Sequence, residues 1–116
     1  MPLTRSFKDT IQARALADPA FREALLKEGV DALIAGDVDT GRAVLRDYIN
    51  ATIGFDGLAQ ATGTPSKSLM RMFGPKGNPK ARNLFSVIGV LQDKAGVSLH
   101  VEAGEFPFPN KSKTIL

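Results

Sequence analysis

The chain contains no cysteine, so neither disulfides nor thiolate metal sites can hold the fold together, and a cysteine nucleophile is excluded. This composition fits a reducing, cytoplasmic setting. Histidine is almost as scarce: the only one is His100. No His/carboxylate spacing suggests a metal, and His100 reads as a surface imidazole. The acids are scattered over the first half, with no apolar pocket to perturb a pair. The expectation is therefore no enzyme, no cofactor and no metal. Long hydrophobic runs are missing too. None approaches the roughly eighteen apolar residues that suggest a membrane span, and no signal-peptide pattern opens the sequence. A membrane partner is not expected.

The most informative absence is local. Of the 116 residues, 1–56 hold seven Lys/Arg and nine Asp/Glu, and 93–116 hold three of each. Between them, residues 57–92 carry five bases (Lys67, Arg71, Lys76, Lys80, Arg82) and no acid. An acid-free basic middle is the electrostatic footprint of a polyanion site; the alternative is a solvated basic face. Hydrophobic and charged fractions of 43% and 23% are those of an ordinary globular protein of one domain.

The chain is organised around Phe55 to Phe73, FDGLAQATGTPSKSLMRMF. It reads as two short helices joined by a tight turn. Leu58 and Ala59 mark the inner face of the first, and Gly63 supplies the positive φ of the turn. Thr64 is the expected N-cap of the second helix, 65–73, and Pro65 its first residue. Leu69 and Phe73 point inward with Met70 or Met72 beside them, leaving Ser66, Lys67, Ser68 and Arg71 outside. An apolar back and a basic, hydrogen-bonding front suit a helix that enters the DNA major groove. A surface helical hairpin with incidental lysines is the plainer alternative. The hexapeptide from Gly63 to Ser68 faintly resembles a phosphate loop, but it lacks the glycine before lysine and follows a helix instead of a strand.

Elsewhere the sequence predicts more helices. One starts at about Phe7, with Phe7, Ile11 and Leu16 as its apolar stripe. Asp18 and Pro19 restart the chain as N-cap and first turn. The helix they open, about 19–35, has Phe21, Leu25, Leu26, Val30, Leu33 and Ile34 at helical spacing, and Gly36 ends it. Asp37 and Asp39 are alternative caps for a third helix, which faces the core with Val44, Leu45, Tyr48 and Ile49. Past Phe73, two glycines and two prolines make a loop, with Asn78 and Pro79 as cap and start of a helix to Ala95. That helix, with Leu84, Phe85, Val87, Ile88 and Leu91, is apolar enough to be the central one. Val97, Leu99 and Val101 then alternate with polar residues as a strand does. A lone strand needs a partner, so it is expected to pair between chains. Phe106 and Phe108 in the tail pack on a neighbour or on their own body. The expected architecture is mainly α: an N-terminal helical extension (1–38), a helix-turn-helix domain ending in one short C-terminal strand (39–103), and an extended tail (104–116).

From about Leu45 to Val101 the chain resembles the antidote proteins of addiction modules, small regulators with a phage-repressor-like helix-turn-helix. The shared pattern is Leu58-Ala59 and Thr62-Gly63 in helix 2, then Lys67-Ser68-Leu69 and Arg71 in helix 3. Gly77-Asn78-Pro79, an apolar helix and a terminal strand follow. The resemblance implies a five-helix DNA-binding domain acting as a transcriptional repressor, often of its own operon, and an antitoxin that can neutralise a small ribonuclease-like toxin. Two departures stand out. Pro65 replaces a capping serine found in many members, and the region before Leu45 is longer than the usual N-terminus.

These readings assign Ser66, Lys67 and Arg71 to base edges, where Lys and Arg favour guanine O6/N7. Ser68, Lys76, Asn78, Lys80 and Arg82 are assigned to phosphates of double-stranded DNA. A single short reading helix calls for a homodimer, with Val97, Leu99 and Val101 as its preferred contact and the N-terminal helices as second choice. The competing expectation is a protein-interaction module whose acidic first half holds a partner, such as a small basic toxin, without specific DNA binding.

Overall fold

The computed structural model describes residues 5–105, with side chains from Thr10 onward; the Phe7 side chain and the tail residues Phe106 and Phe108 lie outside them. The described chain is mainly helical: α1 Arg5–Ala17, α2 Pro19–Ile34, α3 Val38–Ala51, α4 Gly54–Thr62, α5 Ser66–Met72 and α6 Ala81–Ala95.

The α1–α2 corner is fixed from both sides. Asp18 accepts hydrogen bonds from the backbone N–H of Ala20 (3.0 Å) and Phe21 (3.2 Å), with Pro19 in the first turn. One turn into α2, Arg22 Nη1 donates back to the terminal carbonyls of α1, Ala15 (2.7 Å) and Leu16 (3.0 Å). The Arg14 guanidinium lies 4.6 Å from the centre of the Phe21 ring. Of the two candidate caps for α3, Asp37 takes the role, accepting from Thr40 N–H at 3.3 Å.

Helix α3, not α6, is the centre. It packs against α1, α2 and α4, and buries Leu45, Tyr48, Ile49 and Ala51. Its approach to α2 depends on two missing side chains. A Cβ on Gly29 would lie 2.8 Å from Leu45 Cδ2, and one on Gly41 would lie 2.6 Å from Leu33 Cδ2. One apolar cluster runs from Leu26 through α3, Phe55, Leu58, Leu69 and Phe73 to Leu91. Residues 35–37 thus form a short turn between packed helices, and α3 begins at Val38. Leu16 and Ile34, expected on inner stripes, are 68% and 58% exposed. In α1 the buried residue is Ala15 instead, and in α2 the expected Leu26 is joined by Gly29. Small residues face inward there because the helices run close.

The expected strand is absent: among the described residues there is no β-structure. Within one chain residues 97–101 have no strand to pair with. Two of the segment's backbone donors are also engaged by the end of α6. Val97 N–H donates to the Gln92 carbonyl (3.2 Å) and Leu99 N–H to Gln92 Oε1 (2.7 Å).

Candidate nucleic-acid interface

Helix α5 follows α4 through Gly63, Thr64 and Pro65. Gly63 closes α4 in the left-handed region at φ 76°, its N–H donating to Ala59 O at 2.8 Å. Thr62 organises the turn: its hydroxyl donates to Leu58 O (2.8 Å) and accepts from Thr64 N–H (3.2 Å). Thr64 therefore does not cap α5. Pro65 occupies the N-cap position, no side chain caps the helix, and α5 starts at Ser66. Proline's fixed φ and lack of N–H suit either position at a helix start, which is why the sequence places the boundary one residue early.

Leu69 and Phe73 are fully buried, Phe73 with its ring centre 6.3 Å from that of Phe55. Met72 joins them, whereas Met70 is 48% exposed. The outer face of α5 is therefore Lys67, Met70 and Arg71. Ser66 and Ser68 are half-buried at its flanks.

After Phe73 the chain turns back on itself, with Gly74 N–H donating to Arg71 O (3.1 Å) and Gly77 N–H to Gly74 O (3.0 Å). Gly77 sits so close to the end of α5 that a Cβ there would overlap the carbonyl oxygens of Met72 and Arg71. Lys76 and Asn78 project from this loop, and both are exposed. Asn78 and Pro79 do not begin the next helix. Lys80 takes the N-cap position in extended conformation, and its carbonyl accepts the first α6 bond from Leu84 N–H at 3.0 Å. No side chain caps α6, so its first N–H groups remain available for an anion. Arg82 is exposed in the first turn. None of Lys67, Arg71, Lys76, Lys80 and Arg82 has an ion-pair partner among the described residues.

The residue that sequence reading missed is Arg42. Although charged, it is buried. Its guanidinium reaches across to the loop after α5: Nη1 donates to Gly77 O, and Nη2 donates to Asp39 Oδ1 (2.6 Å) and Pro75 O (3.5 Å). Arg42 thereby ties the start of α3 to the loop bearing Lys76. A signal was present, because Arg42, Leu45 and Ile49 share one face of α3 at helical spacing. An arginine on a core stripe has to find buried acceptors.

The dimer residues lie differently from expectation. Val97 and Leu99 are partly buried against their own core, and Val101 is 72% exposed. Tyr48 is buried, and burial raises its phenol pKa above 10.0, with Arg22 opposing the shift. It lines a cleft of about 540 Å³ together with Leu16, Arg22, Ile53, Leu91 and Lys94. His100 is exposed. Among the described residues no cluster of His, Asp or Glu could hold a metal, and no helix is long and apolar enough to cross a membrane. The chain matches no family model, and no curated protein or solved structure is similar to it.

Proposed function

We propose that this chain is a sequence-specific DNA-binding transcriptional regulator, a repressor of the antidote type, with α4 and α5 as its helix-turn-helix. One observation carries the reading: α5 is anchored by Leu69 and Phe73 while Lys67 and Arg71 stand outward with no ion-pair partner among the described residues, in a stretch with no acid from 57 to 92. Lys67 and Arg71, with Ser66 beside them, read base edges. Ser68, Lys76, Asn78, Lys80 and Arg82 hold phosphates, helped by the uncapped N-terminus of α6. Two copies on a two-fold operator place their half-sites about 34 Å apart.

The test is fluorescence anisotropy with the protein's own promoter fragment and an unrelated duplex of equal length, at two salt concentrations. Preferential, salt-sensitive binding to the promoter supports the reading, and no binding at low salt ends it. Arg71→Ala should cost about 1–3 kcal/mol and relax one base position. Lys80→Ala should instead weaken all sequences alike and flatten the salt slope. Indistinguishable specificity profiles for the two variants would undo this division of roles.

A second reading has its own observation. At the α2–α3 corner, Ile34 and Val38 are exposed close in sequence to Asp31, Asp37 and Asp39. An apolar patch with acids suits a small basic protein such as a toxin. Such a complex, formed without any promoter preference, would favour the interaction-module alternative.

A further inference from the structure

Helix α6 turns Val87, Ile88 and Leu91 to the core. On its other side Arg82, Phe85, Ser86, Gly89 and Asp93 are all exposed, and a 3.6-residue period gathers them into a stripe about 100° wide. Three properties of this stripe have no explanation within the chain. Phe85 is 63% exposed in its middle. One turn on, Gly89 occupies a helix interior, where glycine is less stable than alanine. A Cβ at Gly89 would meet nothing within 4 Å, and its φ is not positive, so neither crowding nor backbone conformation requires glycine. Finally, Arg82 lies in the first turn and Asp93 near the last, each at the helix end where the dipole disfavours its charge. Neither has an ion-pair partner among the described residues.

We infer that this stripe is the contact with a second copy of the chain, α6 against α6 in antiparallel orientation about a two-fold axis at the height of Val87. Phe85 then covers the bare backbone at the partner's Gly89, and Arg82 meets the partner's Asp93 at each end of the seam. Both pairs share one centre. Phe85 and Gly89 lie two residues either side of Val87, and Arg82 and Asp93 lie five and six residues either side. Antiparallel alignment also brings each charge to the helix end of the partner that favours it. The seam is about 16 Å long, from the 1.5 Å rise per residue. A second copy fits better than an unrelated protein because projection and hollow, base and acid, all lie on the same stripe, as an isologous contact demands.

This inference rests on the dimer proposed above but not on DNA binding. It moves Arg82 from the phosphate set to the seam, and it makes α6, not Val97–Val101, the principal contact. Sedimentation of the full chain across a micromolar concentration series, without DNA, tests it. The unaltered protein should show a monomer–dimer equilibrium. Phe85→Glu, at an exposed position that leaves the fold intact by circular dichroism, should raise the dissociation constant about tenfold or more. Arg82→Asp and Asp93→Arg should each weaken the dimer, and the double variant should recover it. A protein monomeric throughout, a dimer indifferent to Phe85→Glu, or a double variant no tighter than its parents overturns the proposal. Anisotropy on the promoter fragment reads DNA binding separately, so either idea can fail while the other stands.

Discussion

Helices α2 and α3 meet through glycines whose missing side chains are filled by each other's leucines, whereas the glycine inside α6 faces open space. The contrast extends to charge. Arg42 in the first half is buried against carbonyls, while the five bases of residues 57–92 have no ion-pair partner among the described residues. Gly29, Gly41 and the Arg42 Nη atoms of the first half are thus engaged internally, whereas Lys67, Arg71, Phe85 and Gly89 beyond residue 54 face outward. Substitutions in the first half should therefore register mainly as lost stability, and those on the outer faces of α5 and α6 as lost binding. Residues at the junction should register as both.

The largest effect is expected in the core beneath α5. Phe73→Ala empties a fully buried ring site next to Phe55 and should cost about 3–5 kcal/mol in urea unfolding. Met70→Ala, three residues earlier but on the exposed side of α5, should change stability by no more than about 0.5 kcal/mol. Equal effects would erase the inner–outer distinction on α5. Next comes Arg42→Ala, which strips charge-assisted hydrogen bonds from the Gly77 and Pro75 carbonyls. It should cost about 1.5–3 kcal/mol and also lower DNA affinity, because the loop bearing Lys76 loses its anchor. Gly77→Ala forces a Cβ against the end of α5, and a loss of about 1–3 kcal/mol is expected by thermal unfolding. The smallest effect is one of pH. Burial raises the Tyr48 pKa, so the fold prefers the protonated phenol. Its contribution is intact below pH 10 and is lost as pH rises through the folded-state value. Tyr48→Phe should flatten the alkaline limb of a stability–pH curve while changing little at neutral pH.

Helix positions were legible wherever a local signal sufficed. Asp18 before Pro19 gave α2 its start, and Asp37 gave α3 its cap. Gly63 and Gly96 gave the left-handed ends of α4 and α6. The basic face of α5 followed from periodicity anchored on Leu69 and Phe73. Harder to read were features that depend on distance in space. Thr62 displaced Thr64 because its hydroxyl is committed to the end of α4, which propensity at Thr64 does not reveal. Phe85 counts as core by hydropathy, yet only packing decides that Val87, Ile88 and Leu91 take the inner side. The clamp by Arg42 joins segments 35 residues apart, beyond the reach of any local pattern. The Val97–Val101 alternation suggested a strand, but alternation alone does not supply a second strand, and Val97 and Leu99 pack on the chain's own core instead.

That 35-residue reach also sets an order of events during folding. The α2–α3 contact closes a short loop and can form early, whereas Arg42 finds its acceptors only after α5 and the loop beyond it are in place. The clamp is thus a late arrival on the folding path, largely unmade at the transition state. Stopped-flow measurements on Arg42→Ala should show a refolding rate close to that of the unaltered chain, with the lost stability expressed as faster unfolding. Arg42 then acts as a latch on lifetime: it governs how long the loop beside α5 stays closed once folded, and hardly at all how quickly the chain gets there.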